Sequence, residues 1–127
     1  WRTLVPESPE ESHKLKAAFV ADGKILAHWS KAGSDGLSVY TLEGKHLHDV
    51  DIPEGSILQF NQVRPRDKKI ALGITGFLSP RIQYEYDVAE NKLREVKKSG
   101  IARDLTDIAG VERLYATSKD GTRVPMW

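Results

Sequence analysis

The chain has 127 residues, enough for one small domain or for part of a larger protein and too few for a complete large enzyme. Apolar residues make up 39% and charged residues 29%, with a mean hydropathy of −0.45, the balance of a folded chain able to bury a modest core. Nineteen Lys and Arg against eighteen Asp and Glu leave a net charge of +1, and no stretch interleaves basic with aromatic residues, which argues against a nucleic-acid groove. Cysteine is absent; that removes disulfides, thiol catalysis and Cys-ligated metals, and leaves the compartment open.

No run approaches the roughly 18 apolar residues of a helical membrane span, and the first residues lack a basic region followed by an apolar one. The chain opens at Trp1 and closes at Trp127 with its last residues still reading as strand, which suggests a piece of something longer.

In chain order, residues 1–7 read as extended. Ser8 to His13 is a polar segment in which Pro9 and the paired carboxylates Glu10 and Glu11 suit a turn or a single helical turn. Beyond it, helical periodicity is absent. Short apolar runs separated by turn residues at about ten-residue spacing predict antiparallel strands, placed at 15–21, 24–30, 36–42, 47–52, 57–64, 69–75, 82–88, 93–97, 111–118 and 122–127. Asp22-Gly23 and Asp120-Gly121 read as two-residue hairpin turns, since Gly adopts positive φ without steric cost and Asp tolerates it. Glu43-Gly44-Lys45, Pro53-Glu54-Gly55, Pro65-Arg66-Asp67 and Ala89-Glu90-Asn91 supply other links.

The run also repeats itself. Leu47-His48-Asp49-Val50 is matched by Leu93-Arg94-Glu95-Val96 at a spacing of 46, Tyr40 and Tyr86 hold the same offset, and Lys24-Ile25 and Lys69-Ile70 stand 45 apart. Two four-stranded units at this period are the pattern of propeller blades. A jelly roll or a single barrel would also give short strands, but neither predicts recurrence at one fixed offset.

Candidate chemistry is sparse. His46 and His48 alternate on one predicted strand, so a shared face and a chelating pair are conceivable, with Asp49 on the opposite face and Asp51 out of phase. Two solvated residues on an outer strand is the simpler reading. His28, beside Trp29, suits a hydrogen-bonded core position, and His13 falls in the polar turn. No Gly-x-Ser-x-Gly elbow is present, and Ser79 before Pro80 most simply starts a turn. Gly33 and Gly36 flank Ser34-Asp35 in a link between strands, not a phosphate-binding strand-to-helix turn. The basic stretches at 64–69 and 97–98 are short and read as solvated turns. These residues predict no catalytic, cofactor-binding or metal site within the chain, and no cofactor.

Leu4-Val5-Pro6-Glu7, Gly76-Phe77-Leu78-Ser79-Pro80 ahead of Tyr84-Glu85-Tyr86-Asp87, and above all Ser118-Lys119-Asp120-Gly121-Thr122-Arg123-Val124-Pro125-Met126 resemble the prolyl oligopeptidase (prolyl endopeptidase) family of serine peptidases. The resemblance runs in order through essentially the whole chain. It implies an all-β fragment of a seven-bladed propeller: 1–100 the last blades, 101–110 a crossing segment in which Asp104 and Asp107 are surface residues, and 111–127 the first hairpin of an α/β-hydrolase domain. In that family the propeller covers the active site, excludes large folded substrates, and leaves its first and last blades unlatched. The implied partners are short proline-containing peptides, taken by the complete enzyme, and the hydrolase domain of the same chain, with no nucleic acid and no membrane. The family is commonly cytoplasmic, with periplasmic members. Its catalytic Ser, Asp and His lie in hydrolase sequence that this chain does not contain. A stand-alone propeller-like module that binds a peptide along a strand edge is the alternative.

Overall fold

The computed structural model describes residues 1–8, 13–98 and 105–127. Ten strands form: β1 (His13–Ala21), β2 (Lys24–Lys31), β3 (Ser34–Thr41), β4 (His46–Asp49), β5 (Ile57–Phe60), β6 (Lys69–Thr75), β7 (Ile82–Asp87), β8 (Lys92–Lys98), β9 (Leu114–Thr117) and β10 (Arg123–Met126). They make two four-stranded sheets, β1-β2-β3-β4 and β5-β6-β7-β8, and a β9–β10 hairpin, all antiparallel. No helix occurs among the described residues.

Each expected strand is present, with its ends moved by local turn chemistry. Three moves matter. The 31–36 link is tighter than its composition suggests: Ala32 and Gly33 both take positive φ (51° and 85°), a two-residue turn that returns Ser34, Asp35 and Gly36 to β3 as paired residues. His13, expected in a turn, opens β1 opposite Lys31, while the predicted turn at 9–12 lies outside the described residues. The Asp120-Gly121 link is a longer turn than the two-residue type. The Gly121 amide donates to the Ser118 carbonyl (3.0 Å) and the Ser118 amide to that of Thr122 (2.9 Å), and only Gly121 has positive φ. Thr41 to Lys45 repeats this geometry with Gly44 in the same role. The expected Asp22-Gly23 turn does form, with φ of 44° and 67°.

The two sheets stack face to face. Leu26, Leu37 and Val39 on one face of the first sheet meet Ile70, Leu72, Ile74 and Tyr86 of the second in a single buried cluster. Burying such side chains stabilises by about 1.5–3 kcal/mol each. The repeat now has a physical meaning. Ile25, Ala27, Trp29 and Tyr40 occupy on the first sheet the places that Ile70, Leu72, Ile74 and Tyr86 occupy on the second. On the first sheet these residues form a second cluster, covered by Leu4 and Val5. The opposite face of the second sheet carries Lys69 ion-paired to Glu85 (2.8 Å), where the first sheet is apolar. Each sheet is therefore one layer of a stack, and the core lies between layers.

Candidate functional site

Two features stand out: a buried polar seam joining the sheets, and the seat of the hairpin on their rim. The seam centres on Asp35, whose side chain is 2% exposed. Its carboxylate accepts from His28 Nε2 (2.9 Å), from the amide of Leu58 in the other sheet (2.9 Å), and from Lys16 Nζ at both oxygens (3.1 and 3.0 Å). A β-bulge between Leu15 and Ala17 adds one residue to β1 and turns Lys16 toward Asp35. Burial pushes the Asp35 carboxyl up, but the hydrogen bonds from Leu58, His28 and Lys16, together with the His28 charge, outweigh it and hold its pKa below the ordinary value. Around it, the Asp35 amide donates to the Ser56 carbonyl (2.7 Å), and Ser34 Oγ bridges the Ser56 carbonyl and the Gly55 amide.

Sequence reasoning placed His28 in the core, where it is, and left Asp35 in a link. The missed signal was Ala32-Gly33, which closes the turn early enough for Asp35 to stand beside His28 across β2–β3. A buried His–carboxylate pair is half of an acyl-transfer relay. Here the carboxylate is saturated by three other donations, which is the arrangement of a structural joint.

The His46/His48 pair comes apart. A bulge in β4 pairs His46 with Tyr40 and His48 with Val39, so Leu47 is the extra residue and the two imidazoles lie on opposite faces. His46 packs edge-on against Tyr40 and bonds Asp49 (3.2 Å), and thus Asp49 shares its face, contrary to simple alternation. His48 bonds Tyr86 Oη between the sheets (3.2 Å), and Tyr86 donates on to Asn91 (3.0 Å). Burial and the Asp87 charge push the Tyr86 hydroxyl up to about 12. Burial, then the Lys24 and His46 charges, push His48 down. No group of three or more His, Asp or Glu able to hold a metal forms among the described residues. Ser79 lies in the 76–81 loop with its Oγ close to Gly76, and Asp107 lies in the turn 106–108; Asp104 falls outside the described residues.

At the rim, Trp127 sits over two turn glycines, Gly33 between β2 and β3 and Gly55 between β4 and β5. A Cβ on Gly33 would stand 3.0 Å from its Nε1, and one on Gly55 would stand 3.4 Å from its ring. Phe77 packs against the indole with centroids 5.8 Å apart, and the Arg113 guanidinium lies 5.5 Å from it. Arg113 also reaches Glu54 (3.5 Å). Beside them opens a cleft of about 310 Å³ bordered by Asp35, Lys31, Arg113 and Trp127.

Comparison with known proteins matches this architecture. Residues 1–99 match the sequence profile described as the prolyl oligopeptidase N-terminal β-propeller domain. A prolyl endopeptidase of Dictyostelium discoideum is 24% identical over 121 residues, covering 94% of this chain and 16% of the relative. A solved structure from a mechanistic study of two prolyl endopeptidases superposes with a TM-score of 0.78 at 25% identity, over 96% of this chain and 18% of that one. Prolyl oligopeptidase B of Galerina marginata gives 0.75 at 21% identity, over 98% of this chain and 18% of that one. The chain thus spans less than a fifth of the length of these relatives.

Proposed function

We infer that this chain, which belongs to the prolyl oligopeptidase family through its N-terminal β-propeller domain, is the gating part of a serine peptidase that cleaves peptides after proline. The single observation that carries the reading is the pair of stacked four-stranded sheets inside the 1–99 match. On this reading residues 1–100 are late blades, 101–110 the crossing, and 111–127 the opening hairpin of the catalytic domain; the profile match ends at residue 99, and β9–β10 form a separate sheet. The segment contributes sterics and no reacting group. Acyl transfer needs nucleophile, base and oxyanion donors within hydrogen-bond reach of one another, and these would come from the rest of the protein.

A propeller gate filters by bulk. Galerina marginata prolyl oligopeptidase B has been captured with a 35-residue substrate, which supports a filter acting on folded volume more than on chain length. The corresponding substrates here are flexible proline-containing peptides, and the hydrolase domain is the intramolecular partner. We place the parent in the cytoplasm, the family's common compartment.

The test uses the full-length protein that contains this chain. It is expected to cleave a short chromogenic peptide after proline, to lose that activity to a serine-directed inhibitor, and to spare the same sequence grafted into a folded loop. The 127-residue chain alone is expected to be inactive. Cleavage by the isolated chain, or specific peptide binding by a cooperatively folded monomer of it, would overturn the reading in favour of an independent module.

A further inference from the structure

The hairpin's seat has an imbalance. Trp127 is held by aromatic contact with Phe77, by the Arg113 guanidinium and by a slot that exists because Gly33 and Gly55 lack side chains. Both glycines have positive φ (85° and 73°), so the turn geometry that admits them also clears the space. The slot belongs to both sheets: Gly33 comes from the β2–β3 turn, Gly55 from the link that leads to β5, and Phe77 from the β6–β7 loop. The Leu105 amide, from the stretch preceding the hairpin, donates to the Leu78 carbonyl in that same loop (2.8 Å). Three segments of the rim therefore converge on one side chain, and the stretch before the hairpin is tied to one of them.

Against this, the Trp127 Nε1–H is buried and meets no acceptor among the described residues. An unmet buried donor carries a cost of the same order as the stacking and cation–π gains. The Arg113–Glu54 pair adds little, because Glu54 is 75% exposed and water screens it. The unmet donor thus offsets part of what ring burial, stacking and the guanidinium contribute, and a contact of so small a net stability exchanges between seated and unseated forms.

We propose that Trp127, with Arg113, is a releasable clasp that docks the hairpin onto the inter-sheet rim, and that its seating and release set how far the propeller opens over the domain that follows. The clasp rests on the gating reading for its consequence, though not for its existence. Trp127 is a positioning residue: it touches no substrate and acts through the angle of the hairpin.

The experiment uses the full-length protein with Trp127→Ala, Trp127→Phe and Glu54→Gln, read by limited proteolysis between residues 98 and 113, by the unfolding midpoint of the propeller, and by kcat and KM on a short proline peptide. Trp127→Ala is expected to speed boundary cleavage about tenfold, the population shift that roughly 1.4 kcal/mol produces, with the propeller's midpoint unchanged. Trp127→Phe keeps a ring against Phe77 and Arg113 and removes the unmet donor; it is expected to restore the wild-type rate to within about twofold. Glu54→Gln is expected to change it less than about twofold. Equal cleavage of wild type and Trp127→Ala, or a Phe variant as loose as the Ala variant, would overturn the clasp. In an active parent the loosened variant changes KM more than kcat, and equal changes in both would count against it. A parent without post-proline activity whose cleavage rates still separate as described would refute the gating reading and leave the clasp standing.

Discussion

Replacing Asp35 by Ala removes the acceptor for three donors at once, and the structure assigns each a different weight. His28 and Asp35 side chains are 7% and 2% exposed, so removing the carboxylate strands the buried His28 and Leu58 donors, which together cost about 3–5 kcal/mol when their charged acceptor is lost. The Leu58 amide, left without its acceptor between the sheets, contributes within that figure about 1–3 kcal/mol. Lys16 is 42% exposed and can turn back to water, so its part is no more than about 1 kcal/mol. Domains are stable by only about 5–15 kcal/mol, and the substitution therefore removes a large share. In urea, with a slope near 2 kcal/mol per molar, a loss of ~4 kcal/mol lowers the midpoint by about 2 M, whereas Lys16→Met is expected to move it by under about 0.5 M. The pH dependence has a definite sign. Because the folded Asp35 pKa lies below its ordinary value of 3.8, its contribution is complete above that value and disappears as pH falls through the folded pKa. The gap between wild type and Asp35→Asn should close over the same window. A midpoint shift below about 0.5 M for Asp35→Ala, or equal shifts for Asp35→Ala and Lys16→Met, would refute the joint.

Other substitutions probe the stack and its turns. Leu72→Ala, fully buried between the sheets, should cost about 2–5 kcal/mol in equilibrium denaturation, whereas Leu42→Ala, 47% exposed, should cost little. Gly44→Ala places a Cβ against the Leu4 carbonyl at φ +92° and should be strongly destabilising, while Gly23→Ala, with open space around it, should cost only the roughly 1 kcal/mol of its left-handed backbone. His48, held below its ordinary 6.5, binds fewer protons folded than unfolded. Stability should therefore decline as pH falls from 6.5 through the folded pKa, and His48→Gln should flatten that slope in thermal melts taken across the range. Tyr86→Phe removes the Oη bonds to His48 and Asn91 and should cost about 1–2 kcal/mol by the same measurement.

The strand order was legible because it rests on local chemistry: apolar alternation, Gly and Asp at turns, and a repeat of 45 to 46 residues that marks equivalent places in two sheets. Alternation also located His28 in the core. It failed at two bulges, in β1 and β4, since one extra residue reverses every later side chain on the strand. At His46 and His48 the bulge separates a pair that spacing had joined. At Lys16 it brings a lysine to a carboxylate. Neither bulge has a sequence mark as plain as a glycine turn.

By itself, then, the sequence determined the all-β class and the two blade-length units, which follow from periodicity and turn residues, and the family resemblance, which rests on short motifs such as Ser118 to Met126. The tertiary structure decided which polar residues meet. Asp35 reaches Leu58 across 23 positions, His48 reaches Tyr86 across 38, and Trp127 finds a slot framed by Gly33 and Gly55. Such meetings depend on how two twisted sheets stack and where their rims align, and no spacing along the chain encodes that distance.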